Sequence, residues 1–92
     1  MPSPRRFEID LSSYGYHMEV DVKKSDCCRG EAPHWHLWHG RSRAGSISAN
    51  GVWIEKPSVD HHIMKEAEEL TSRYSSSIVE VYNHNKIYGA DD

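Results

Sequence analysis

Residues 33–40 read PHWHLWHG and hold three of the seven histidines and two of the three tryptophans of this 92-residue chain. Side chains alternate between the two faces of a strand. An extended segment here would therefore direct Trp35 and Leu37 to one face and His34 and His36 to the other. We predict that residues 33–40 form an inner β-strand, with its rings wedged between a sheet and a helix.

The segments around this strand predict the rest of a sheet. Apolar and polar residues alternate over residues 7–12 and 16–23, which favours two strands joined in a hairpin. An extended pattern resumes over residues 43–49. The Asn-Gly pair at residues 50–51 favours a type I′ hairpin turn, in which both residues have a positive φ, and residues 52–55 would form the returning strand. We predict an antiparallel β-sheet of about five strands.

The period of the apolar residues changes after Ser58, which can cap a helix. The apolar positions that would share one helical face are Ile63, Ala67, Leu70 and Tyr74. A serine run and a second apolar set over residues 75–82 predict either a second helix or the end of one kinked helix. We expect the helical region to end at residues 83–85, and Ile87 and Tyr88 to anchor the C-terminal tail. The predicted fold class is α+β: one or two C-terminal helices packed on one face of the sheet. We expect a single domain over residues 1–92, flexible at residues 1–5 and 89–92.

Composition narrows the class of protein further. The formal charge of −3 does not favour binding to nucleic acid, although it leaves it open. No stretch approaches the roughly 18 apolar residues of a membrane span, so we expect no membrane partner. Cys27 and Cys28 are adjacent, which disfavours a disulfide between them, and free thiols indicate a cytoplasmic location.

A wider set of positions carries a resemblance to a known family. These positions are Pro33, His34, Trp35, His36, Gly40, Ala44, Ile47, Gly51 and Pro57, followed by a helical region from about residue 60 to residue 82. Over about residues 14–84 the chain resembles a family of small bacterial domains, the domain of unknown function 4160.

The resemblance is incomplete. Ala32, His39 and Tyr82 stand where that family often has proline, tyrosine and tryptophan, and the loop over residues 24–31 is longer. The resemblance implies a compact sheet with helices on one face. It also implies that the gene for this protein belongs to a bacterial or mobile-element gene pair of the toxin–antitoxin kind. It implies no catalytic residues, because the family has no established activity.

The paired histidines favour two chemical hypotheses. His34 and His36 would lie about 6 to 7 Å apart on one strand face, and such a pair can hold one metal ion, with zinc as the candidate. Candidates for the remaining ligands are His17, Asp26, Cys27, Cys28, His61 and His62. The alternative to a metal site is that both rings bond to the backbone and pack against Trp38.

The second hypothesis is a histidine-based ribonuclease toxin. His34 and His36 would act as general acid and base, and Arg41 or Arg43 would neutralise the phosphorane. No complete catalytic set is evident, so an enzyme is not the first prediction. We also expect at least two of the three tryptophans to be buried.

The function predicted first is a small non-catalytic binding or regulatory protein of a bacterial or phage conflict system. Its partner would be a cognate toxin, an antitoxin or a defence effector, and a homodimer is an alternative. The residues predicted to line the binding surface are His34, His36, Trp38, His39 and Arg41. No cofactor is predicted apart from the zinc of the metal hypothesis.

Overall fold

The computed structural model describes residues 2–24 and 31–91, so the candidates Asp26, Cys27 and Cys28 lie outside the described residues. Five strands form one antiparallel sheet in the order β1-β2-β3-β4-β5. The strands are β1 (Glu8–Asp10), β2 (Tyr16–Glu19), β3 (His34–His39), β4 (Ser42–Ser48) and β5 (Trp53–Glu55). The helices that follow are α1 (His61–Arg73) and α2 (Ser75–Tyr88). The predicted α+β fold is confirmed.

The central strand is β3, as the histidine- and tryptophan-rich segment predicts. Trp35 and Leu37 are fully buried in the core, and their neighbours across the ladder, Ile47 on β4 and Met18 on β2, are buried with them. Both helices contribute to this core, which places them on the Trp35 face of the sheet. The other face of β3 carries the imidazoles.

Of the three tryptophans, Trp35 alone is fully buried, whereas Trp38 and Trp53 are half-buried. The prediction of at least two buried tryptophans is therefore wrong. The Trp53 indole N–H donates to Glu68 on α1 at 2.8 Å, which keeps the ring at the edge of the sheet rather than inside the core.

The C-terminal region is two helices rather than one. Tyr74 separates them, with a φ of −109° and a ψ of 20°. The N-cap of α1 is Asp60 and not Ser58, and α2 runs on past the predicted end at residues 83–85. Ile87 and Tyr88 are 61% and 42% exposed, so they do not anchor the tail. No helix in the described part of the chain is both long and apolar enough to cross a membrane.

Two β-bulges shape the face of the sheet that lies away from the helices. Leu37 pairs with Gly45 and Trp38 pairs with Arg43, so Ala44 is the extra residue in β4. In β5 the extra residue is Ile54. A bulge re-aims the side chains beyond it. As a result Arg43 lies opposite Trp38, on the same face as the imidazoles.

Candidate metal centre

His34 and His36 alternate with Trp35 and Leu37 along β3, and both are almost fully buried. Their side chains are 4% and 6% exposed, and their ring centroids are 5.1 Å apart. Tyr82 covers His34 from one side, with 5.3 Å between the two ring centroids. Two imidazoles thus meet in a site that is largely closed to solvent.

The orientation of the His34 ring is set by the backbone. Its Nδ1 lies 2.8 Å from the carbonyl oxygen of Ala32. A carbonyl only accepts hydrogen bonds, so Nδ1 carries the hydrogen and Nε2 presents its lone pair when the ring is neutral. Histidines that bind metal ions commonly donate their second ring N–H in this way. The backbone bond expected for His34 is therefore present, and it leaves Nε2 directed at the site.

His36 faces a carboxylate instead of the backbone. Alternation along β2 and the residues that follow it brings Asp21 to the same face as Glu19, which lies opposite His36 in the ladder. Asp21 Oδ2 is 3.3 Å from His36 Nδ1, and the Asp21 side chain is 9% exposed. Asn85 donates from its Nδ2 to the Asp21 carbonyl at 2.9 Å, which holds the backbone at this point.

Asp21 Oδ2 and His36 Nδ1 are buried and face each other at 3.3 Å without a well-directed hydrogen bond. Trp38 Nε1 is a third buried atom without a hydrogen-bond partner among the described residues. Most buried polar atoms in proteins are paired, since an unpaired one loses its hydration without compensation. The facing geometry of Asp21 Oδ2 and His36 Nδ1, 3.3 Å apart, is also that of two ligand atoms bound to one ion.

Arg43 completes the surroundings of the carboxylate. Its guanidinium donates to Asp21 Oδ1 at 3.1 Å and lies over Trp38, 5.4 Å from the ring centroid. Burial by itself would raise the pKa of Asp21. The adjoining His36, followed by the charges of Arg43 and His34, outweighs that effect and lowers the pKa below its ordinary value. Asp21 is therefore held as an anion.

The ligand atoms offered by Asp21, His34 and His36 all lie within 4.8 Å of one another. Two imidazoles and one carboxylate are the protein ligands of several catalytic zinc sites and of mononuclear iron(II) sites. A second group, formed by Glu8, His17 and Glu19, has the same spacing but is exposed or half-buried, and Arg6 binds its Glu19 at 2.8 Å. The buried group is the stronger candidate.

A cavity of about 240 Å³ adjoins the buried group. Its lining residues are Glu31, His34, His36, Arg43, Ser46, Ile54 and Glu55. The bulges in β4 and β5 contribute to this wall, because they direct Arg43 and Glu55 towards the imidazoles. An ion held by the three ligands would lie beside this space.

The predicted site residues fall into two sets. His34, His36 and Arg43 come together, and Trp38 lies next to them. His39, which is exposed and stacks on Tyr16 with 4.2 Å between ring centroids, does not line the cavity.

The other candidates also lie apart from this site. Arg41 is exposed in the β3–β4 turn and does not line the cavity. His61 and His62 are exposed at the start of α1, and among the described residues they belong to neither potential ligand group. His17 belongs to the more exposed group.

Two acidic residues near the histidines were not among the sequence candidates. Asp21 falls within the alternating residues 16–23, but nothing in the local sequence indicates which strand lies next to it. The pairing of β2 with β3 could have located Asp21, because Glu19 then lies opposite His36 and Asp21 shares the face of Glu19. Glu31 follows the undescribed residues 25–30 and has no pattern of its own.

Comparisons with models of protein families, with curated proteins and with solved structures found no match to this chain. The resemblance to the domain of unknown function 4160 therefore stays a prediction.

Proposed function

We propose that this protein is a metal-binding module that holds one first-row divalent ion, zinc in the first place, through Asp21, His34 and His36. The observation that carries the proposal is the buried cluster itself: Asp21 Oδ2 and His36 Nδ1 face each other at 3.3 Å without a well-directed hydrogen bond, and the ligand atoms of all three residues lie within 4.8 Å of one another. An ion between Asp21 Oδ2, His36 Nδ1 and His34 Nε2 would satisfy all three atoms.

The donor chemistry supports zinc. Imidazole nitrogen and carboxylate oxygen bind zinc at about 2.0 to 2.2 Å, and a neutral ring with its other nitrogen bonded to a carbonyl is prepared for this role. The pKa of Asp21 lies below its ordinary value, so this ligand is a carboxylate at neutral pH, and the two imidazoles must be neutral to bind the ion. Arg43, bonded to the far oxygen of the same carboxylate, would orient it.

The test is zinc titration of tag-free, metal-free protein, carried out in a Cys27→Ser, Cys28→Ser background so that thiols cannot bind the ion. We expect one zinc per chain. Because the loss of a supporting partner alone weakens metal binding about 10- to 100-fold, Asp21→Asn and His36→Ala should weaken it by at least about 100-fold.

The matched control is His61→Ala, His62→Ala, which removes two exposed imidazoles outside the site. Its zinc affinity should equal that of the parent. The proposal fails if the parent binds no zinc, or if Asp21→Asn binds zinc as tightly as this control. Elemental analysis of the protein as purified from its host would distinguish zinc from iron.

A second candidate is the role that the sequence puts first, a partner-binding protein of a conflict system in the cytoplasm. The observation that favours it is the exposure of Val52 and Ile54, at 61% and 49%, beside the edge strand β5. The test is co-expression with the product of the neighbouring gene. A complex that survives Val52→Asp, Ile54→Asp would exclude this surface.

The ribonuclease hypothesis receives less support from the geometry. Side chains that are only 4% and 6% exposed offer little room for a ribose and its phosphate to reach both rings. RNA cleavage that depends on His34 and His36 would restore this hypothesis.

A further inference from the structure

Glu31 lies at the open side of the candidate metal centre. Its Oε2 is 3.5 Å from His34 Nε2, the nitrogen that the Ala32 bond leaves available. The Glu31 side chain is 49% exposed, whereas that of His34 is 4% exposed. The Tyr82 hydroxyl donates to the Glu31 carbonyl at 3.2 Å. The backbone of Glu31 is therefore anchored while its carboxylate can rotate.

Two separations in this cluster are close to those between ligand atoms of one ion. Two ligand atoms of a tetrahedral zinc, each about 2.0 to 2.1 Å from the ion, lie about 3.3 to 3.4 Å apart. The His36–Asp21 and His34–Glu31 pairs are separated by 3.3 and 3.5 Å. Both values exceed the usual N–H···O length of about 2.9 to 3.0 Å.

We propose that Glu31 is the fourth ligand, so that the ion sits in a closed tetrahedral site of two histidines, one aspartate and one glutamate. The inference rests on the proposed metal site. Glu31 is not one of the three residues whose ligand atoms lie within 4.8 Å of one another, so its side chain must rotate towards the ion. The rotation is inexpensive because half of the side chain is in solvent.

A consequence concerns access to the ion. Asp21, His34 and His36 are buried, and Glu31 is the one exposed ligand of the four. Small anions such as acetate would reach the ion by displacing Glu31. Removal of its carboxylate should open a coordination position towards the cavity, which Glu31 also lines.

The test compares Glu31→Gln with Glu55→Gln in the Cys27→Ser, Cys28→Ser background. Glu55 is the matched control, because it lines the same cavity but its carboxylate lies 3.4 Å from the Ser46 hydroxyl. We expect Glu31→Gln to weaken zinc binding by at least about 10-fold and Glu55→Gln to leave it unchanged. With Co²⁺ in place of zinc, the parent should show the strong visible absorption of a tetrahedral site, and Glu31→Gln should change the position and intensity of that absorption, because water or an amide oxygen replaces the carboxylate.

The outcomes separate this inference from the proposed function. Suppose that the parent binds zinc and that Glu31→Gln matches Glu55→Gln in both zinc affinity and Co²⁺ spectrum. The contact between Glu31 and His34 is then an ordinary ion pair. The assignment of Glu31 as fourth ligand is wrong in that case, while the site of Asp21, His34 and His36 stands. If the parent binds no zinc, both proposals fail.

Discussion

At the scale of single residues, one fully buried polar contact links Trp35 of the central strand to Thr71 of α1. The Trp35 indole N–H donates to the Thr71 hydroxyl at 2.9 Å, and that hydroxyl donates to the Ala67 carbonyl at 2.7 Å. Both side chains are fully buried. A buried indole N–H needs such a partner. The contact therefore joins the central strand to α1 through groups that are fully paired.

Substitution of Thr71 by valine should test this contact. Valine keeps the shape of threonine but leaves the indole N–H unpaired, so the free energy of unfolding should fall by about 1 to 3 kcal/mol. Urea denaturation measures it. Thr71→Ser is the matched control, since it retains the hydroxyl and loses one methyl group, which costs about 1 kcal/mol. A valine variant as stable as the parent would show that the bond contributes nothing.

At the scale of secondary-structure elements, β4 and β5 are drawn together at Gly45. A Cβ atom placed there would lie 2.7 Å from the Glu55 carbonyl oxygen and 3.1 Å from the Pro57 ring. Backbone atoms cannot yield as the end of a flexible side chain can. Close pairing of the last two strands, and with it the position of Glu55 on the cavity wall, depends on the absence of a side chain at this position.

The variant Gly45→Ala should consequently be destabilised. Overfilling of a close-packed site costs about 1 to 3 kcal/mol, and denaturant unfolding followed by circular dichroism would measure it. Ser42→Ala, on the same strand but exposed, should stay within about 0.5 kcal/mol of the parent. Equal stability of the two variants would mean that β5 moves away freely.

At the scale of the whole molecule, the candidate metal centre joins segments far apart in sequence. Asp21 follows β2, the histidines lie on β3, and Asn85 on α2 donates both to the Asp21 carbonyl and to the Arg5 carbonyl. Arg5 returns a backbone N–H to Asn85 Oδ1 at 2.9 Å. An ion at the centre would cross-link a region where the N-terminal arm, the sheet and the last helix already meet.

Zinc should therefore stabilise the folded chain. A ligand present at 100 times its Kd adds about 2.7 kcal/mol, which corresponds to a rise in Tm of about 10 °C or more for a domain of this size. Thermal unfolding with zinc and with a chelator measures the difference. The Asp21→Asn variant should show little or none of this rise. An equal rise in that variant would assign the effect to another site.

Local patterns in the sequence determined much of this protein. Alternation along residues 34–37 separated the buried Trp35 and Leu37 from the imidazoles, because the side-chain period of a strand is a property of the strand alone. The Asn-Gly pair predicted the hairpin turn at residues 50–51, but Gly51 has a positive φ and Asn50 does not, so the predicted type I′ is wrong. The helical period of the apolar residues predicted the buried face of α1. The serine run at residues 75–77 indicated a break near Tyr74 but not whether it separates two helices or kinks one, since no glycine or proline marks it.

Only the tertiary structure decided what surrounds the imidazoles. The register of β2 against β3 brings Asp21 to His36, the bulge in β4 turns Arg43 to the same face, and the backbone after residue 30 brings Glu31 to His34. Each of these contacts joins residues whose proximity depends on strand pairing or on the path of a loop. Such long-range geometry leaves no local pattern in the chain, so the histidines could be found from the sequence but their acidic partners could not.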